Sequence, residues 1–100
     1  MAEIDITKNI RLIELLKSDI LSQLAGLYEE LLRPGPLSRR EERLSRLIIS
    51  CYVLSKRISG SYEQLDEKIA DNIRLILLDD KAAGDKEDFS ELLKHIENRY

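Results

Sequence analysis

The chain has 100 residues, of which 43% are hydrophobic and 35% are charged, with a formal net charge of −3 and one cysteine. This length predicts one domain, residues 1–100, that can bury a core without disulfides or metals. An acidic chain with few aromatic residues lacks the basic, aromatic-rich groove of single-strand nucleic-acid binders, so nucleic acid is excluded as an expected partner.

The first predicted helix covers residues 4–33, either as one helix or as two in line, and Asp5 or Thr7 is the expected cap. Its hydrophobic residues recur at steps of three and four, the period of one helix face. A second hydrophobic stripe lies beside the first, and a stripe this wide packs against more than one neighbour. Gly26 costs about 1 kcal/mol inside a helix, and it predicts a bend or a close crossing.

The second predicted helix runs to about Ser59, where Ser59, Gly60 and Ser61 end it, and residues 44–58 within it are the least charged part of the chain. Two prolines and a glycine at positions 34–36 separate it from the first helix, and residues 38–41 have the S-x-x-E pattern of a capping box. Hydrophobic residues cover most of its circumference, so we expect a central helix covered on several sides. Cys51 lies within this surface and is predicted to be a small buried residue.

Two further helices complete the predicted fold. Residues 61–64 form a second capping box, which opens a helix that ends near Leu78. Residues 79–87 are predicted to be a loop, and residues 88–91 to cap a short last helix. No strand pattern occurs, so the expected fold is all-α, a bundle of about four helices. The apolar surface of the first two helices exceeds what the others can cover, which predicts a homodimer or a dimer of dimers.

Four glutamates are candidate metal ligands. If the first two helices pack antiparallel, these side chains lie at one end of the bundle, where carboxylates on facing helices can hold Mg²⁺ for phosphate chemistry. Arginines surround them, which favours ion-paired, solvated helix ends instead. The candidates are Glu29, Glu30, Glu41 and Glu42.

A row of three arginines is a candidate anion site. Arg39, Arg43 and Arg46 share one face of the second helix, where they could bind a phosphate group or an acidic partner. A solvated basic face is the alternative interpretation. Lys68 and Asn72 share a face of the third helix at i, i+4 spacing.

Residues 48–75 contain the positions that identify a family. They are Ile48, Ile49, Cys51, Tyr52, Leu54, Arg57, Ser61, Tyr62, Leu65, Asp66, Lys68, Ile69, Ile73, Arg74 and Leu75. In this order and spacing they resemble the small MazG-like family of bacteria. Residues 9–22 and 88–96 resemble the first helix and the closing segment of the same family, so the resemblance covers most of the chain.

This resemblance implies the fold of the all-α nucleoside triphosphate pyrophosphohydrolase superfamily, whose members are oligomeric and release pyrophosphate with the help of Mg²⁺. The superfamily signature is E-x-x-E on one helix and E-x-x-D on the next. Here Arg43 and Arg46 stand at the E-x-x-D place, and Glu29 and Glu30 are followed three residues later by Leu32 and Arg33. Lys68 and Asn72 resemble a Lys-x-x-x-Asn feature that lies near the nucleotide in some members.

The sequence therefore predicts a MazG-like protein with a degenerate metal motif, acting as a non-catalytic binding or regulatory oligomer. No catalytic residue and no cofactor are expected, and the expected ligand is a nucleotide or an acidic protein. One alternative is an Mg²⁺-dependent pyrophosphohydrolase that uses the four glutamates, and another is a helical protein–protein interaction module. No signal peptide or membrane-spanning stretch is evident, so we expect a cytoplasmic protein without a membrane partner.

Overall fold

A computed structural model describes residues 2–33, 35–79 and 85–99, with side chains from Asp5 onward. Within these ranges the chain forms four α-helices and no strand, which confirms the all-α prediction. The helices are α1 (Ala2–Leu32), α2 (Leu37–Ser59), α3 (Tyr62–Leu78) and α4 (Lys86–Glu97). None of these described helices combines the length and the hydropathy that a membrane crossing requires.

The chain divides into two compact units, residues 1–60 and residues 61–100. In the first unit α1 packs against α2, and in the second α3 packs against α4. Side-chain hydrogen bonds in the first unit join Asn9 to Arg57 and Gln23 to Arg43. Residue numbers therefore decrease along α2 in the direction in which they increase along α1. The first unit is therefore an antiparallel helical hairpin. The assignment of residues 1–100 to one domain stays a prediction.

Helix α1 is one continuous helix of 31 residues. It begins at Ala2, so Asp5 and Thr7 lie inside it and the prediction that either caps it is wrong. Its end at Leu32 lies one residue before the predicted end. At 1.5 Å per residue such a helix is about 45 Å long.

Helix α2 begins differently from the prediction. Pro36 is the N-cap residue, and no side chain caps the helix. The S-x-x-E capping box is therefore wrong, because the proline places Ser38 and Glu41 already inside α2. The other end agrees with the prediction: Gly60 follows Ser59 with φ of 115°, a conformation that residues with a Cβ rarely adopt, and its N–H donates to the carbonyl of Lys56.

In the second unit, the predicted cap of α3 is confirmed. The Ser61 side chain accepts a hydrogen bond from the Gln64 N–H at 3.0 Å. The predicted cap of α4 is wrong, since Asp85 is the N-cap and accepts from the Glu87 N–H at 2.9 Å. The predicted loop over residues 79–87 falls partly outside the described residues. Buried side chains of this hairpin are Asp66, Ala70, Ile73 and Ile96.

The prediction that α2 is covered on several sides is wrong for the chain by itself. Ile48 and Ile49 are 51% and 59% exposed, and Cys51 is exposed rather than buried. Helix α2 packs against α1 along one side, where Ser50 is buried, and the hydrophobic residues around the rest of its circumference remain accessible. The hydrophobic pattern showed which positions are apolar, but it did not show how many neighbours would cover them.

Candidate anion-binding site

A cavity of about 400 Å³ lies on the first hairpin, and we call it the arginine cavity. Its lining residues are Glu30, Arg39, Glu42, Arg43 and Arg46. The structure thus brings together all three arginines of the predicted basic row. They are joined by only two of the four glutamates that were candidates for metal binding.

Arg43 is held against α1 by two residues. Its Nη1 donates a hydrogen bond to Oε1 of Gln23 at 3.3 Å, and Gln23 is only 6% exposed. At Gly26 there is no side chain between the guanidinium and the α1 backbone. A Cβ added there would lie 2.6 Å from Cζ of Arg43, closer than such atoms approach in real structures. The predicted close crossing at Gly26 is therefore confirmed, and the group that crosses is a guanidinium.

The three arginines differ in how their charge is balanced. Arg46 donates from Nε to Oε1 of Glu42 at 2.8 Å, an i, i+4 ion pair on the surface of α2. In the described part of the chain, no carboxylate lies within ion-pair distance of Arg39 or Arg43. The cavity therefore carries three guanidinium groups and two carboxylates, those of Glu30 and Glu42, and this excess of positive charge can attract an anion.

A second pocket of about 270 Å³ adjoins the arginine cavity, and its lining includes Glu29, Arg33 and Gly35. Glu30 and Arg39 line both pockets. Arginines are thus distributed among the glutamates on both sides of the turn that joins α1 to α2. Opposite charges alternate in this region, and the acids do not form a separate group.

The four predicted metal ligands are not brought together in one place. Glu30 and Glu42 line the arginine cavity, Glu29 lines the adjoining pocket, and Glu41 is exposed and lines neither. Among the residues that the structure describes, no three His, Cys, Asp or Glu side chains are grouped so that they could hold a metal ion. Mg²⁺ requires oxygen ligands in a near-octahedral arrangement, and here Glu42 is already bonded to an arginine.

Lys68 and Asn72 lie on α3, which belongs to the second compact unit. Both are exposed on α3, in the unit formed by residues 61–100, whereas the arginine cavity is built within the first unit. Their predicted role near a nucleotide stays a prediction.

Two residues of the site were missed or misread at the level of sequence. Gln23 was not singled out, and Gly26 was predicted to mark a bend or a close crossing but was not connected with an arginine. With Glu30 they occupy positions i, i+3 and i+7, which fall on one face of α1. Three non-hydrophobic residues on one face of an otherwise amphipathic helix were the available signal for a polar contact.

The family model described as "MazG-like family" matches residues 6–92 of the chain. This match includes the whole arginine cavity as well as Gln23 and Gly26. No curated protein and no solved structure matches the chain.

Proposed function

The chain belongs to the MazG-like family, and we propose that it is a non-catalytic binding protein whose arginine cavity holds a small phosphate-bearing anion. The observation that carries this proposal is the fixed position of Arg43. A buried glutamine and a glycine hold its guanidinium at a cavity that Arg39 and Arg46 also line. Holding a cationic side chain in place before the ligand arrives reduces the entropy lost on binding.

The chemistry of the cavity favours a phosphate group. A guanidinium presents its N–H donors in a rigid planar fork, which matches two oxygens of a phosphate. A volume of about 400 Å³ falls within the range of small-molecule sites. An acidic protein segment would need an extended basic surface, whereas these arginines converge on one concavity.

The same side chains argue against cleavage of a nucleoside triphosphate. That reaction requires a metal ion held by several carboxylates to neutralise charge on the leaving pyrophosphate. Where α1 meets Arg43 it offers Gln23 and Gly26, neither of which is an acid, and among the described residues Glu30 is the single α1 carboxylate that lines the cavity. The arrangement supports recognition of an anion without its hydrolysis.

The proposal includes an oligomeric state. Several large hydrophobic side chains on α1 and α2 are more than half exposed, among them Ile10, Leu15 and Ile49. A large amount of exposed apolar side chain commonly marks a protein–protein interface. We propose that a homodimer or a dimer of dimers covers it.

Thermal unfolding in the presence of anions tests the binding site. Phosphate, pyrophosphate and ATP should each raise the unfolding temperature relative to chloride at equal ionic strength, with or without Mg²⁺. A ligand at ten times its Kd adds about 1.4 kcal/mol of stability. A variant carrying Arg39→Gln and Arg43→Gln should lose this response. The matched control is Arg11→Gln, which removes an exposed arginine outside the cavity and should keep it.

Three results would count against the proposal. Equal stabilisation of the cavity variant would place the anion elsewhere. Stabilisation by an acidic peptide but by no phosphate would favour a protein ligand. Pyrophosphate release with Mg²⁺ or Mn²⁺ is expected to be absent for all common nucleotides. Turnover that disappears in the triple variant Glu29→Gln, Glu30→Gln, Glu42→Gln would establish the pyrophosphohydrolase instead.

A further inference from the structure

A third cavity on the first hairpin, of about 410 Å³, is more hydrophobic than the other two, and we call it the leucine groove. Its lining residues are Leu12, Leu15, Leu16, Asp19, Val53 and Arg57. Its centre is hydrophobic, and it contains one acidic and one basic side chain. Leu15 is 60% exposed although it is a large hydrophobic residue.

The two charged residues lie at opposite ends of the leucine groove. Arg57 donates from Nη1 to Oδ1 of Asn9 at 3.4 Å, so its charge lies level with residue 9 of α1. Asp19 accepts a hydrogen bond from the hydroxyl of the buried Ser50. Ten residues of α-helix separate these two levels, a distance of about 15 Å. The three leucines, at positions 12, 15 and 16, lie between them.

This arrangement is complementary to itself. A two-fold axis through the middle of the groove, perpendicular to its surface, exchanges the two ends. Asp19 of one copy then meets Arg57 of the other, the second ion pair forms by symmetry, and the leucines of both copies meet at the centre. We infer that the leucine groove is the isologous contact of a homodimer, in which the same surface on both copies forms the interface.

A second copy fits the groove better than an unrelated partner, because the chain itself supplies the complementary charge at the matching distance. Ile49 lies one helical turn before Val53 on α2 and is 59% exposed, so it extends the hydrophobic surface of the groove. Exposed ion pairs contribute little to affinity, so the hydrophobic side chains supply most of it. The charges determine register and exclude other orientations. This inference rests on the oligomer within the proposed function and is independent of the arginine cavity.

Charge reversal provides the test. Arg57→Asp makes both ends of the groove acidic, and Asp19→Lys makes both ends basic. Each variant alone places like charges together at both ends of the dimer, and we expect its dimer Kd to rise by about tenfold or more. An equimolar mixture of the two variants restores two opposite-charge contacts. Sedimentation equilibrium should therefore show a 1:1 heterodimer in the mixture, and a dimer of twice 11.6 kDa for the wild type.

Further variants distinguish loss of the dimer from loss of folding. They are needed because Asp19→Lys also removes the hydrogen-bond acceptor of Ser50. Leu15→Lys keeps every polar contact of the groove and should also weaken the dimer. Leu75→Lys on α3, where the leucine is 64% exposed, is the matched control and should not. Circular dichroism confirms that each variant is helical. A wild-type monomer would refute both the oligomer and this surface. A dimer that survives Leu15→Lys and Arg57→Asp would keep the oligomer and refute only the surface.

Discussion

Replacing Gly26 by alanine should weaken anion binding while changing the stability of the protein little. Alanine is favoured over glycine by about 1 kcal/mol inside a helix, and Gly26 lies inside α1. The added Cβ would lie 2.6 Å from Cζ of Arg43 and 2.8 Å from its Nε and Nη1. The guanidinium must therefore move, and it can do so cheaply because it is the end of a flexible side chain.

The magnitudes come from what this movement breaks. The bond from Arg43 to Gln23 is long, 3.3 Å, so its loss costs roughly 1 kcal/mol, including the unsatisfied oxygen left on a buried glutamine. This loss offsets the gain in helix propensity, and the free energy of unfolding should change by less than about 1 kcal/mol. Anion affinity has no such compensation. A displaced guanidinium forfeits charge-assisted bonds worth about 1.5–3 kcal/mol, which corresponds to a roughly 10- to 100-fold weaker Kd.

A double-mutant cycle measures this coupling. Chemical denaturation and phosphate titration are done on the wild type, Gly26→Ala, Arg43→Ala and the double variant. With Arg43 removed, Gly26→Ala should add its full gain of about 1 kcal/mol and should leave the residual affinity unchanged. Unaltered phosphate affinity in the single Gly26→Ala variant would refute the argument that this glycine positions Arg43.

Two further predictions concern stability and accessibility. Ser61→Ala should destabilise the protein by about 1 kcal/mol, because it removes the hydrogen bond from the Gln64 N–H. Ser38→Ala should change stability by less than about 0.5 kcal/mol, because Ser38 caps no helix. Equal effects of the two substitutions in urea denaturation would contradict the cap assignments. Cys51 is exposed, so a thiol reagent should label the native protein rapidly and Cys51→Ala should cost less than about 0.5 kcal/mol. Labelling should persist in the dimer, since Cys51 lies about 200° around α2 from Val53 of the leucine groove, and slow labelling would show that Cys51 is covered.

The helices were predictable because local signals agree with one another. Hydrophobic period, prolines and Gly60 all indicated the same boundaries for α2, and the end of α3 at Leu78 was also correct. The N-termini were less predictable, because several polar residues compete to be the cap. A proline at position 36 fixes the start of α2 before Ser38 can cap it, and Asp85 caps α4 before Asp88 is reached.

The candidate site was predictable only where it lies on a single helix. The spacing of Arg39, Arg43 and Arg46 was sufficient to place them on one face, because that depends on helical geometry alone. The contact of Arg43 with Gln23 and Gly26 depends on the register between α1 and α2. Side-chain packing across the hairpin determines that register, and no pattern within either helix shows it.

The charge of the arginine cavity connects the fold to the proposed function. The resemblance places acids of the superfamily signature where this chain has Arg43 and Arg46, and each such change shifts the local charge by two units. Two unit charges separated by about 4 Å have an interaction energy of about 4 kcal/mol at an effective dielectric of about 20. Solvent reduces this interaction energy for Arg46, which is exposed. Glu42 pairs with Arg46, and the remaining lining charges, Arg39 and Arg43 against Glu30, leave the cavity positive. A cavity with an excess of positive charge disfavours a divalent cation and favours a phosphate. We therefore propose that this helical hairpin binds phosphate groups without holding the metal ion that would cleave them.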